Sequence, residues 1–434
     1  MHKVGLYTLG CKVSLYETEA IGEAFEAAGY EVVDFNDRAD VYVINTCTVT
    51  AESDAKSRKY IRRAIRKNPG AVVIVIGCYS QRAPDEVAKI EGVSAVIGTA
   101  DKMKCVEIAN QLLISKSDCP LQSLVGSLDG VGFEPMCVKK APRTRAYVKI
   151  EDGCECRCTY CAISAARGPV RSKKPADVIS EVEGLYADGT LEIVLTGIET
   201  GSYGADFEDK YDLGDLICEL DARHSCERIR LGSMAPELLK PDFINRIANT
   251  RIMVPHFHIS MQSGSSNTLK AMKRRYNRDM ALKNIRYIKE KMPNVMLTAD
   301  LMVGFPGESE EDFLDTLSFV SEAGLLDAHV FAYSKREGTP AAEYDSQIPE
   351  GVKKERSARL IAECARVRDE VLRSVISLGE PLKVIMETKQ GRVFCGHSDS
   401  YIEVCAESDV NLCGRLVSVM PIRCESGKIY GVII

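Results

Sequence analysis

Apolar residues fall into short unbroken runs separated by longer amphipathic stretches. In the first part of the chain the runs are 4-VGLYTL-9, 41-VYVIN-45, 72-VVIVIG-77 and 93-VSAVIG-98. Runs this short that are apolar on both faces predict buried parallel strands. Between them, 16-YETEAIGEAFEAAG-29 and 52-ESDAKSRKYIRRAIRKN-68 carry the helical period. The alternation predicts an N-terminal doubly wound α/β domain over residues 1–120.

Residues 115–135 are rich in Ser, Gly, Asp and Pro and read as a loop, so residues 121–142 are expected to form a linker. From 143 to 372 strand and helix patterns alternate again. The strand candidates are 145-RAYVKI-150, 191-LEIVLTG-197, 229-IRLGS-233, 257-FHISM-261, 295-VMLTADLMVG-304 and 329-HVFAYS-334. Six such repeats predict a central full or partial parallel (β/α) barrel. A long charged amphipathic helix follows at 353–376. Over 373–434 the pattern becomes short strands with Gly turns (382-LKVIMET, 401-YIEVCA, 415-RLVSVMPI, 428-KIYGVII), which predicts a small antiparallel β-barrel.

Composition adds little: 45% hydrophobic and 27% charged residues are ordinary for a globular protein. No apolar run approaches the roughly 18 residues of a bilayer span, and the N-terminus has no secretory h-region. A cytoplasmic protein with no membrane partner is expected. The net charge of −6 suggests no general polyanion binder, although basic patches occur at 56–67, 139–145, 171–174 and 273–276. No GxxxxGK[ST] loop suggests nucleotide hydrolysis.

In a reducing compartment the seventeen cysteines do not imply a disulfide framework. Clustered ones are expected to be metal ligands or catalytic thiols, and scattered ones such as Cys218, Cys364 and Cys405 small buried apolar residues. Cys154, Cys156, Cys158 and Cys161 lie in 151-EDGCECRCTYC-161, on the loop after the first barrel strand. Barrel active sites sit at that face. Three thiolates spaced Cys154-x3-Cys158-x2-Cys161 suit a cubane with one open iron. A zinc knot that includes Cys156 is the alternative, but structural zinc sites usually join two separated pairs. Cys11, Cys47 and Cys78 each follow one of the first three strands. In an open parallel sheet those strand ends share one edge, so a second three-thiol metal site is expected there. His256 and His258 alternate on a strand and are read as polar residues lining the barrel.

Cys154-x3-Cys158-x2-Cys161 resembles the signature of radical S-adenosylmethionine (SAM) enzymes. Together with Cys11, Cys47 and Cys78, it closely resembles the methylthiotransferase family over nearly the whole chain. Members combine an auxiliary-cluster domain, a radical SAM barrel and an RNA-binding TRAM domain. The phrases 8-TLGCKVSLYETEA-20, 44-INTCTVTAESDAKSR-58, 255-PHFHISMQSGS-265, 269-LKAMKRRY-276, 304-GFPGE-308 and 333-YSKREGTPAA-342 look like the MtaB-type branch. That branch is similar to enzymes that add a methylthio group to C2 of N6-threonylcarbamoyladenosine at tRNA position 37. Sister branches act on isopentenyladenosine in tRNA or on an aspartate of a ribosomal protein. A non-catalytic RNA-binding zinc protein on the same scaffold is a further alternative.

The resemblance implies two 4Fe-4S clusters and SAM as cofactors. Cys154, Cys158 and Cys161 would hold the cluster that binds and cleaves SAM, and Cys11, Cys47 and Cys78 the auxiliary cluster that carries sulfur. Tyr160, Thr196, Gly197, Glu199, Gln262, Asp300 and Val303 are expected around SAM. Arg274, Arg275, Arg392, Tyr401 and Arg415 are expected to contact RNA. The implied partners are the anticodon loop of tRNA, an electron donor such as flavodoxin or ferredoxin, and a sulfur donor that the sequence does not identify. Ser14, Cys156, Ser164 and Ala235 depart from the family's usual residues, and Cys156 is read as a bystander.

Overall fold

A computed structural model describes residues 1–115, 121–141 and 144–434. Cys119, the 120/121 and 142/143 domain junctions, and the Pro142–Arg143 step of the 139–145 basic run lie outside the described residues.

The N-terminal runs form parallel strands β1 (Lys3–Thr8), β3 (Val41–Thr46), β4 (Val72–Gly77) and β5 (Ala95–Ile97). Every residue of β3 and β4 is buried, as expected of a sheet covered by helices on both faces. Two further strands, β2 (Glu31–Val33) and β6 (Gln122–Leu124), extend the sheet to the order β2-β1-β3-β4-β5-β6. β6 falls inside the stretch read as loop: its Gln-Ser-Leu sequence has no apolar run, but pairing with β5 suffices at an edge. The strand order places the topological switch beside β1 and β3.

Helix Lys12–Ala27 belongs to two cores. Ile21 and Phe25 pack under the N-terminal sheet, whereas Tyr16 and Ala20 join the core of the second region. That region is a partial barrel whose first strand is β7 (Arg145–Lys149). A two-residue antiparallel ladder, β8 (Glu151–Asp152) with β9 (Arg171–Ser172), then pinches the stem of the cysteine loop. The remaining barrel strands are β10 (Glu192–Thr196), β11 (Arg228–Leu231) continued by β12 (Ser233–Met234), β13 (His256–Gln262), β14 (Met296–Val303) and β15 (Asp327–Ala332). All six expected strands are present, hydrogen-bonded as the groups β11-β10-β7 and β12-β13-β14-β15. The break falls at Gly232, between β11 and β12.

Helix Glu350–Leu378 leads into a closed barrel of β16 (Leu382–Gln390), β17 (Val393–Ser398), β18 (Glu403–Glu407), β19 (Leu416–Glu425) and β20 (Lys428–Ile433). Sequence patterning found four of these and missed β17, whose FCGHS lacks an apolar alternation. β18 pairs with β20 in parallel, so the barrel is not purely antiparallel. Cys405 corrects the reading of the scattered cysteines: it is disulfide-bonded to Cys395. The two stand directly opposite on β17 and β18, where antiparallel pairing brings side chains within bonding reach. Among the described residues, no helix is long and apolar enough to cross a membrane.

Candidate functional site

The three strand-end cysteines gather at the switch edge of the N-terminal sheet. Cys47 directly follows β3 and Cys78 directly follows β4, while Cys11 begins the helix after β1. A Cβ built on Gly10 would lie 3.5 Å from the Cys47 sulfur, which places the first two loops in contact. Gly77 has φ +98°, and a side chain there would strike Asn45 Oδ1 at 2.4 Å. Only glycine allows the chain to turn from β4 straight into Cys78. Burial pushes the Cys78 thiol up to about 11 and also raises that of Cys47.

The second trio lies on the loop closed by the β8–β9 ladder. Gly153, with φ +95°, passes so close to Pro169 that a Cβ would sit 1.9 Å from its carbonyl oxygen. Cys158 is buried, and Cys154 and Cys161 are half-buried. Burial pushes the Cys161 thiol up to about 11. Cys156, read as a bystander, is hydrogen-bonded to Cys154, and that bond lowers its pKa to about 6. Among the described residues, the only three His, Cys, Asp or Glu ligand atoms within 4.8 Å of one another belong to Cys395, Glu403 and Cys405. A single zinc ion draws its thiolates to about 4 Å of each other. A cubane instead binds each thiolate to a separate iron.

One guanidinium reaches into each trio. Arg167 Nε donates to Cys78 Sγ at 3.1 Å, and Arg274 Nη1 donates to Cys158 Sγ at 3.2 Å. Arg167 is fully buried and also donates to Glu17 at 2.6 Å and to Asp152 Oδ2 at 3.1 Å. Lys149 bonds the same two carboxylates, at 2.8 Å and 2.6 Å, and Lys102 approaches Glu17 at 3.2 Å. Burial alone would raise the Glu17 pKa, but Arg167, Lys102 and Lys149 together hold it well below the usual carboxylate range. Asp152 Oδ1 in turn accepts from the Gly153 N–H at 2.9 Å. An unbroken chain of bonds therefore runs from Cys78 to the residue before Cys154.

Nothing local in the sequence marks Arg167, Glu17, Lys149 or Asp152 as partners: Glu17 lies 150 positions from Arg167 and 132 from Lys149. One signal was available: Lys149, Glu151 and Asp152 interrupt a stretch otherwise patterned as a buried strand. A charge in such a run needs a buried partner.

Of the residues expected around SAM, Thr196 and Gly197 line a cavity of about 630 Å³. Glu199 is buried, accepts from the Ala235 N–H at 3.1 Å, and donates its own N–H to Glu151 Oε2 at 3.0 Å. Burial pushes the Glu199 carboxyl up to about 8 and raises Glu151 well above the usual range. Glu151 Oε1 is buried with no hydrogen-bond partner. Tyr160 meets Phe305 edge-on at 6.5 Å. Gln262 has φ +65° at the slip in the β13–β14 register, a strained backbone for a non-glycine residue. Val303 is fully buried at the end of β14. Asp300 faces the cavity with one oxygen 3.1 Å from His258 and the other 3.3 Å from His329. His258 thus lines the barrel, as expected.

The expected RNA contacts divide. Arg275, Arg392 and Arg415 are exposed, with Arg275 donating to the Glu155 carbonyl and Arg392 paired to Asp409 at 2.7 Å. Arg274 does not stand free for RNA: besides Cys158 it holds Ser260 O at 3.1 Å and stacks over Tyr276. Tyr401 is likewise not an open stacking platform. It lies at the seam between the two barrels, stacked on His256 at 4.6 Å and on His397 at 4.8 Å. Arg145, Arg171 and Lys173 of the basic runs are also turned inward, onto Glu192, Asp152 and Glu181. On helix Ala51–Lys67, Lys59, Arg62, Arg66 and Lys67 are exposed.

Residues 3–98 match the family described as Uncharacterized protein family UPF0004, and residues 148–320 match the Radical SAM superfamily. The chain is 41% identical to threonylcarbamoyladenosine tRNA methylthiotransferase MtaB of Bacillus subtilis (strain 168), covering 96% of this chain and 93% of that protein. It is 35% identical to the protein of the same name from Aquifex aeolicus (strain VF5), covering 96% and 100%. It is 34% identical to tRNA-2-methylthio-N(6)-dimethylallyladenosine synthase of Staphylococcus aureus (strain JH9), covering 98% and 82%. Among solved structures, the radical SAM methyltransferase TsrM from Kitasatospora setae is alike in fold, with TM-score 0.57 and 15% identity over 79% of this chain and 77% of that one. The extent of these likenesses, laid over two cysteine trios joined by one buried network, means that the chain belongs to the radical SAM methylthiotransferase family of tRNA-modifying enzymes.

Proposed function

We propose that this chain adds a methylthio group to C2 of N6-threonylcarbamoyladenosine at position 37 of tRNA, using two 4Fe-4S clusters and SAM. The observation that carries the reading is the bonded path through Arg167, which joins Cys78 to the loop of the second trio. Such a link suits two cofactors that act on one substrate. The threonylcarbamoyl branch is favoured by the two relatives that bear its name, at 41% and 35% identity.

Each trio offers three thiolates, the soft ligands that iron–sulfur clusters require, and leaves a fourth position for an exchangeable ligand. Cys154, Cys158 and Cys161 would hold one cluster, and Cys11, Cys47 and Cys78 the other. When bound, the clusters and SAM supply electron transfer, radical generation and the sulfur that is inserted. The chain's own residues do the remaining work. Arg167 and Arg274 stabilise thiolate at Cys78 and Cys158 by charge-assisted hydrogen bonds. The Glu151 carboxylate is buried against the Glu199 backbone, with Oε2 beside Gly197 and Oε1 without a partner, and the Glu199 carboxyl is buried nearby. A cation lowers the pKa of any carboxyl it approaches, so this pair is suited to receive the SAM ammonium. Exposed Arg275, Arg392 and Arg415, with the free face of helix Ala51–Lys67, would meet RNA phosphates.

The test is mass analysis of nucleosides after anaerobic incubation of the reconstituted protein with SAM, reductant and tRNA. A methylthio product on threonylcarbamoyladenosine and none on isopentenyladenosine is expected; the reverse pattern moves the chain to the sister branch. Cys158→Ala should abolish SAM cleavage, whereas Cys47→Ala should retain cleavage and lose thiomethyl transfer. Equal loss of cleavage in both variants would contradict the division of roles between the trios.

A further inference from the structure

We infer that Lys12 recognises the carboxylate of the N6 substituent on the target base and so sets the enzyme's preference among modified adenosines. The inference rests on the function proposed above, because it names the part of that substrate which one cavity wall reads.

The cavity of about 630 Å³ has walls from three parts of the chain. The N-terminal domain contributes Cys11, Lys12 and Val13, the partial barrel contributes residues such as Thr196 and His258, and the C-terminal barrel contributes residues such as His397 and Tyr401. Its volume lies within the range of small-ligand sites, about 300–1,000 Å³. A base that reaches Cys11 from this cavity passes Lys12, the next residue in the chain.

The charges lining the cavity are almost all answered by partners within the protein. Asp300 is held by His258 and His329, Asp327 by Arg368 at 3.4 Å, and Glu403 by Lys428 at 2.7 Å. Lys12 is exposed in the wall and has no ion pair or side-chain hydrogen bond among the described residues. Two further cations, Arg145 and Arg230, stack on Tyr401 in the same seam and act on Lys12 electrostatically. Both of those arginines are paired with Glu192, and Arg368 with Asp327, so Lys12 is the lining cation left without a carboxylate partner, which an anionic ligand group would supply.

The threonylcarbamoyl substituent carries a carboxylate, and a dimethylallyl substituent carries none. A lysine ammonium is a compact cation on a flexible stem, suited to a carboxylate whose exact approach varies. An uncharged apolar substituent would desolvate the ammonium without pairing it, a cost that translates directly into discrimination.

The experiment titrates reconstituted wild-type protein, Lys12→Met and Lys12→Arg with three anticodon stem-loop RNAs. These carry threonylcarbamoyladenosine, its methyl ester, or plain adenosine at the target position. Wild type should prefer the free carboxylate over the other two by about tenfold to a hundredfold, the strength of a hydrogen bond to a charged group. Lys12→Met should bind all three alike, and Lys12→Arg should restore the preference; iron content equal to wild type checks that each variant has folded. If Lys12→Met keeps the wild-type preference while wild type forms the methylthio product, the inference falls and the proposed function stands. If Lys12→Met weakens all three RNAs equally, Lys12 contacts backbone phosphate and the inference falls. If wild type itself shows neither preference nor product, the proposed function falls with it.

Discussion

At the scale of single residues, Arg167 does the most. It is fully buried, and each of its three guanidinium nitrogens has a partner: Cys78, Glu17 with Asp152, and Glu17 again. Removing one member of such a cluster leaves uncompensated charge in the interior, at a cost of about 3–5 kcal/mol. Arg167→Met should therefore lower unfolding stability by that order, read as a shifted denaturant midpoint. It should also change the electron paramagnetic signature of the auxiliary cluster, since a hydrogen bond to a cluster sulfur is lost. A spectrum identical to wild type would rule out the contact with Cys78. The two cysteine trios were legible as groups from spacing and strand position. Arg167 was not, because nothing local marks it: Glu17 lies 150 positions away and Cys78 lies 89 positions away.

At the scale of elements, the apolar runs located all six strands of the partial barrel, of which β10 and β11 are buried along their whole length. β2, β6 and β17 escaped notice because edge pairing or barrel closure, rather than apolar patterning, holds them. β13 shows what the pattern cannot convey. It carries His256, whose Nε2 faces Thr298 at 3.0 Å while Nδ1 is buried without a partner. Burial lowers its pKa well below the usual value of 6.5, and the charges of Arg230, His258, Lys12 and Arg145 add to the effect. The unfolded chain thus binds a proton near pH 6.5 that the folded chain refuses. The contribution of His256 is fully present above pH 6.5 and is lost as pH falls below it, by at most about 1.4 kcal/mol per pH unit. Denaturation at pH 7.5 and 5.5 should show a smaller acid loss in His256→Gln than in wild type. Equal losses would mean that other groups set the acid limb.

At the scale of the whole molecule, the N-terminal domain is fastened to the barrel beside Cys47. Arg336, from the loop after β15, donates to Thr48 Oγ1 at 2.8 Å and to Asp54 Oδ2 at 2.7 Å. Arg82 reaches back from the N-terminal domain to the Glu337 carbonyl, and Thr99 Oγ1 bonds Ala166 O at 2.7 Å. Arg336→Met should speed amide hydrogen exchange over residues 46–57 and leave residues 382–433 unchanged. Protection equal to wild type across 46–57 would show that the other ties suffice. This docking was invisible in the sequence, where the three predicted domains appear as separate patterns with no sign of which faces meet.

The three-walled cavity also has a history within each molecule. Its first wall is synthesised with residues 11–13 and its last with Glu403 and Gly427, nearly the whole length of the chain later. During translation the thiols of Cys11, Cys47 and Cys78 emerge long before the partial barrel that supplies Arg167, and the C-terminal barrel emerges after both. A ribosome-bound chain can therefore display both cysteine trios before the three-walled cavity is complete. The last strands to appear are thus the ones that complete the third wall of the cavity.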